Sequence, residues 1–188
     1  MGLAIFIIIW LVIILWAIHI RNSIVRYYNA TRRAWSDVAN FERQKVKTLE
    51  SLETTLSQYT QFEKSTLKKV TELRQQILNL NLNETDISKL QHIERLNQDL
   101  MKSLNVVVEN YPELKADGLY AKMMDDIQEQ NDNVGAAITI FNRNVEAFNN
   151  NIQVFPNNLV NNVTLSKKAI RPFTDVVISQ NFDYRPNF

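Results

Sequence analysis

The sequence specifies an all-α protein: a single N-terminal transmembrane helix, a long antiparallel helical bundle behind it, and an irregular C-terminal tail. Three features carry that reading. Turn formers are scarce, with three Gly and four Pro in 188 residues, too few for the many reversals of an all-β fold. The first twenty residues are almost wholly apolar. Beyond them, apolar side chains recur at steps of three and four, the spacing of one helix face. The chain divides into an anchor over 1–20, a bundle over 21–156 and a tail over 157–188.

The anchor is "LAIFIIIWLVIILWAIHI", Leu3 to Ile20, with His19 its one titratable side chain. A helix of that length reaches about 27 Å at about 1.5 Å per residue, close to the hydrocarbon thickness of a bilayer. Thirteen of its residues are Ile, Leu, Val or Phe. At about −0.3 to −0.6 kcal/mol each, they favour insertion by roughly 4–8 kcal/mol. A buried core helix would rarely be apolar on every face. A cleaved signal needs a basic leader and a small-residue cleavage site; Met1-Gly2 offers only its α-amine, and "AIHIRNS" fits poorly. Phe6 stands where a myristoylation signal has Ser or Thr. Arg21, Arg26, Arg32 and Arg33 flank the span on its C-terminal side, with nothing comparable before it. The positive-inside bias therefore places the N-terminus outside and the helical body in the cytoplasm.

From Arg21 to about Leu82 there is neither Pro nor Gly. Trp35, Val38, Val46, Leu49, Leu52, Leu56, Tyr59, Phe62, Leu67, Val70, Leu73, Ile77 and Leu80 read as one stripe on one helix, with polar runs such as "ERQKVK" on its outer face. Sixty helical residues would extend roughly 90 Å. The cap and turn formers of "NLNETD" break it, with Asn83, Thr85 or Asp86 placed to cap the next helix. The second stripe is Ile87, Leu90, Ile93, Leu100, Leu104 and Val107. It ends at "ENYPELKADG", where Pro112 drives Tyr111 out of the α region. The third runs Leu119, Met123, Ile127, Gln130, Val134, Ile138, Phe141, Val145, Phe148, Ile152 and Phe155 at the α-helical period, until Pro156 stops it. The tail is rich in Asn, yet Phe173, Phe182, Tyr184 and Phe188 are more aromatics than a solvated tail carries, so it is expected to dock. A first helix longer than its successors cannot be covered by them alone, so part of it either continues the span as a stalk or meets a second copy. A wet stripe of this size would forgo many kcal/mol at about 25 cal/mol per Å², and self-association is the inference.

Composition and motifs exclude most chemistry. Lys and Arg number 21 against 20 Asp and Glu, and a nucleic-acid partner would call for a clear basic excess. The chain has no Cys, hence no disulfide, thiolate nucleophile or cysteine zinc site. There is no P-loop, no H-E-x-x-H and no dinucleotide turn. Asp125, Asp126 and Glu129 form the best acidic cluster, and they read as a solvated helix edge. His19 has one other His in the chain, His92, and no nearby carboxylates, and it reads as an interfacial imidazole beside Arg21 and not as a metal ligand. No residue is assigned a catalytic, metal or cofactor role, and no enzyme is expected.

"VVVENYPELKADGLYAKMMDDI" and "FNRNVEAFNNNIQVFPNNLV" resemble the LemA family of membrane-anchored helical proteins. Glu109, Tyr111, Pro112, Leu114, Lys115 and Ala116 fit its E-x-Y-P-x-L-K-A pattern. Phe141, Asn142, Val145, Phe148, Asn149, Ile152, Phe155, Pro156 and Asn158 fit its Tyr-Asn repeat, with Phe for Tyr twice. "YNATRRAW", Tyr28 to Trp35, resembles the start of the family's first soluble helix. The chain departs from the pattern at "QKVKTLESL" (Gln44 to Leu52) and at "NDNVGAAI", where Ile138 replaces a usual Arg. The resemblance implies a long helical bundle on one span in a bacterial plasma membrane, with no established reaction and no cofactor. Asn142 and Asn149, seven residues apart beside the seam, are placed to fix helix register. Anchor, stripes and missing catalytic groups together suggest a non-enzymatic scaffold that associates with itself. The alternative is a sensor or accessory subunit bound to another membrane protein.

Overall fold

The structure, a computed structural model, describes residues 1–58, 64–115 and 117–174. It consists of α1 (Gly2–Gln58), α2 (Lys64–Leu78), α3 (Ile87–Asn110), the short α4 (Pro112–Lys115), α5 (Gly118–Gln153) and α6 (Asn157–Thr164). No strand occurs among the described residues, and the all-α class stands. Two compact units emerge: Met1–Ala34 with Ile140–Pro172, and Trp35–Thr139 with Phe173 and Thr174.

The second unit corrects one expectation. The stripe from Trp35 to Leu80 belongs to two helices that run antiparallel, not to one. Glu53 meets Thr71 and Arg74, Arg43 donates to the Leu80 carbonyl at 3.0 Å, and Trp35 Nε1 donates to the Asn81 carbonyl at 2.8 Å. No Gly or Pro announces this reversal. The signal available was the hydroxyl cluster Thr54, Thr55, Ser57, Ser65 and Thr66, residues that compete with the helix for its own carbonyls. Thr54 already bonds back to Glu50 O, and Ser57 to Thr54 O at 2.7 Å. Tyr59 and Phe62 lie outside the described residues.

The "NLNETD" break falls where expected, and Asp86 is the cap, its Oδ1 accepting from the Lys89 amide at 2.9 Å. Lys69 Nζ to Ser103 Oγ and Lys89 Nζ to Asn79 O set α3 antiparallel to α2. Pro112 opens α4, where its missing N–H costs nothing, and Asp117 Oδ1 accepts from the Leu119 amide ahead of α5. The α1 stripe residues Val38, Leu49, Leu52 and Leu56 are fully buried within a single chain. Covering them therefore requires no second copy.

In the first unit, α5 returns antiparallel to α1. Thr31 Oγ1 donates to the Asn144 carbonyl at 3.1 Å, while Ile20 and Ile24 pack with Phe148 and Ile152. The segment after Pro156 is not wholly irregular as expected: α6 forms because Val160 reaches that core and Asn161 is buried at 4% exposure. Residues 165–172 follow without helix or strand, yet Leu165 and Ile170 also pack on the Ile20–Ile152 cluster. In the second unit Gln91 Nε2 donates to the Thr174 carbonyl at 3.0 Å, and Phe173 is half-buried. Phe182, Tyr184 and Phe188 lie outside the described residues.

Candidate functional site

The most unusual chemistry is a buried polar layer in the second unit. The α1 seam steps by threes and fours through Trp35, Val38, Glu42, Lys45, Leu49, Leu52 and Leu56, all buried. Glu42 and Lys45 thus occupy core positions, although composition alone assigned "ERQKVK" to the outer face. They form an ion pair at 2.9 Å with neither side chain exposed. Lys45 Nζ also donates to Asn131 Oδ1 at 3.1 Å, and the same oxygen accepts from Asn97 Nδ2 at 3.2 Å. Nearby, Gln130 Nε2 donates to Thr48 Oγ1 at 3.1 Å. Asn97 fills the gap between Ile93 and Leu100 in the α3 stripe, as Gln130 and Asn131 interrupt that of α5. Sequence periodicity held this signal: the α1 and α3 stripes each skip an apolar position, and the α5 stripe carries the polar Gln130.

The layer is incompletely satisfied. Glu42 Oε1 and Gln130 Oε1 accept no hydrogen bond, and Glu42 Oε2 meets Lys45 as an ion-pair contact outside hydrogen-bond geometry. Desolvation offsets much of the Coulombic gain of such a pair. Its effect is on alignment, because a slipped helix would leave Glu42 and Lys45 unpaired in an apolar layer. Two joined charges and three amides offer no nucleophile beside a base. Among the described residues, no group of three or more His, Cys, Asp or Glu could hold a metal ion. Asp125 and Glu129 are exposed and Asp126 half-buried. Tyr120, rather than Leu119, opens the α5 seam; burial pushes its phenol up to about 12.

The motif residues of α5 divide between packing and pinning. Phe141, Val145, Phe148 and Ile152 are buried, Asn142 is half-buried beside them, and Ala137 takes the core position expected of Ile138. Asn149 does not face another seam. Its Nδ2 donates to the Ile170 carbonyl at 2.8 Å, and its Oδ1 accepts from the Ile170 amide at 2.9 Å. Asn161 holds Lys167 in the same two-bond manner, and Lys167 Nζ sits 3.8 Å above the Tyr28 ring. Phe155 departs from the seam altogether: it is 77% exposed and joined to Pro156 by a cis peptide bond. Pro156 follows the end of α5 at Gln153 and is half-buried. Tyr111 is half-buried and, with Lys69, Ser103 and Asn110, lines a surface cleft of about 390 Å³.

The remaining feature is the apolar N-terminal part of α1. The apolar part of α1 has a mean hydropathy of 2.9 over its best window, with 6% of that window buried. It is the one described helix long and apolar enough to cross a bilayer. Arg21, Arg26, Arg32 and Arg33 follow it, all exposed.

Residues 34–177 match the sequence model of the LemA family. The chain belongs to the LemA family. It is similar to Protein LemA of Metamycoplasma hominis, with 30% identity over 124 residues, covering 65% of this chain and 54% of that protein. The chain thus spans about half the length of that curated relative. In this LemA-family chain, the matched region takes in the polar layer, the α5 seam and the Asn149–Ile170 pairing.

Proposed function

We propose that this LemA-family chain is a non-enzymatic scaffold tethered to a bacterial plasma membrane, with its N-terminus outside and its helical body in the cytoplasm. The observation that carries the reading is the continuity of α1. The same helix that presents bare apolar residues through Ile18 buries Ile20 and Ile24 against α5, with no loop between. A body joined that way is held close to the bilayer. Exposed Arg21, Arg26, Arg32 and Arg33 support the orientation.

Self-association is part of the proposal, and the long amphipathic stripes do not supply its contact, since the α1 stripe residues Val38, Leu49, Leu52 and Leu56 are buried within one chain. Copies would meet through outer faces or through the span. The test is isolation of the complex from native membranes with a mass measurement of the assembly. Multiples of this chain alone would support the scaffold. A stoichiometric unrelated membrane protein would favour the accessory-subunit alternative, and a strict monomer would overturn both. Since the chain lacks Cys, a single cysteine at Gly2 or at exposed Asp125 reports orientation through its access to an impermeant thiol reagent.

A further inference from the structure

We infer that the α5–α6 corner is a second bilayer contact, seating Phe155 and Leu159 in the headgroup region of an anionic leaflet. The inference rests on the reading of α1 as a membrane anchor and goes beyond it.

Register places the corner. Within the first unit, Thr31 lies opposite Asn144, and the Ile20–Ile24 turn packs on Phe148 and Ile152. Each step forward along α5 is therefore a step back along α1, toward the apolar segment. Phe155 comes three residues after Ile152 and so lies level with the last turn of the span. Ala17, in that turn, is half-buried, whereas every residue before it is exposed.

The corner's surface suits that level. Val154, Phe155, Leu159 and Val163 are 51%, 77%, 55% and 85% exposed, a concentration of bare apolar side chains unusual on a water-facing turn. Leu159 and Val163, four apart on α6, share a face, while Val160 points to the Ile20 core. Buried side chains fix the corner's position, and these four are left outward.

Charge identifies the occupant. The overall balance of 21 basic and 20 acidic residues hides a strong asymmetry. Met1–Ala34 and Ile140–Pro172 carry eight basic side chains against one carboxylate, Glu146, an excess of seven. Lys168 and Arg171, both exposed, follow α6 directly. Apolar side chains beside a basic surface match the two attractions of an anionic bilayer. A second copy presenting this same basic face to the corner would be repelled from it.

The absence of native cysteine gives a clean test. Phe155→Cys, Leu159→Cys, Glu146→Cys and Ile9→Cys are made singly in the full chain, labelled with a small fluorophore and placed in nanodiscs of phosphatidylcholine and phosphatidylglycerol. Nitroxide-bearing lipid and aqueous iodide are the two quenchers. The labels at 155 and 159 are expected to be quenched several-fold more by lipid nitroxide, and several-fold less by iodide, than the label at Glu146. If the label at 155 is as open to iodide as that at 146 while the label at 9 is lipid-quenched, the corner is wet and the inference fails with the anchor intact. Shielding from both quenchers would mean that protein covers the corner, which also overturns it. A label at 9 that escapes lipid quenching would remove the anchor itself.

Discussion

Glu42 and Lys45 meet at 2.9 Å on the same helix, and neither reaches solvent. Each charge is tolerable only because of the other. Lys45→Met would leave a carboxylate buried with no cation, and the expected loss is about 3–5 kcal/mol of stability. Replacing both, as Glu42→Leu with Lys45→Met, should recover most of that loss, since apolar residues of similar volume suit the layer. Thermal unfolding of the full chain in detergent, followed by circular dichroism, distinguishes the two. If the single variant melts with the parent, water reaches Glu42 and the pair is not buried.

That pair also shows what the sequence did and did not disclose. The period of the stripes located the α1, α3 and α5 seams, and Asp86 was among the expected caps. Residue type and burial part company at two places: the seam holds Lys45 and Ala137, both buried, whereas the more apolar neighbours Val46 and Ile138 are only half-buried. The α1–α2 reversal carries no Gly or Pro, so only the folded hairpin reveals it. Asn149 was recognisable as a special residue beside the seam. Its partner Ile170 lies in a segment with no periodicity, where sequence offers no register.

Tyr120 gives a prediction in pH. Its phenol is 4% exposed with no hydrogen-bond partner, and burial raises it from 10.0 to about 12. Below pH 10 the folded and unfolded chains both keep the proton, and no dependence arises. Between about 10 and 12 the unfolded chain ionises while the folded one does not, so stability falls as pH rises, by roughly 2–3 kcal/mol across the window. Tyr120→Phe should match or exceed the parent at pH 7, because the hydroxyl it removes is unpaired, and should flatten the alkaline slope. Equal slopes in the two proteins would show that the phenol is hydrated when folded.

Trp35 closes the loop between α2 and α3. Its ring is 1% exposed, and its Nε1 donates to the Asn81 carbonyl at 2.8 Å. Trp35→Phe keeps part of the apolar bulk, removes the donor and leaves a small cavity, at an expected cost of about 2–3 kcal/mol. Limited proteolysis in the loop at 79–86 should accelerate in the variant. Unchanged cleavage there would mean that Ser36, donating to Leu82 O at 2.9 Å, and Arg43 hold the loop without it.

Asn149 raises a question of which force holds residues 165–172. Leu165 and Ile170 pack on the Ile20–Ile152 core, and burial alone could retain them. The paired bonds to Ile170, at 2.8 and 2.9 Å, satisfy a backbone donor and acceptor together, so losing them strands two polar groups rather than one. Asn149→Ala is therefore expected to speed exchange of the Ile170 amide by at least about tenfold, equivalent to about 1.4 kcal/mol, while leaving Val145 protected. Asn149→Asp keeps the acceptor for Ile170 N–H but not the donor for its carbonyl, and should fall between the parent and the Ala variant. An Ile170 amide that exchanges at the parental rate in both would assign the segment to apolar packing. The Asn would then be a consequence of its placement and not the cause.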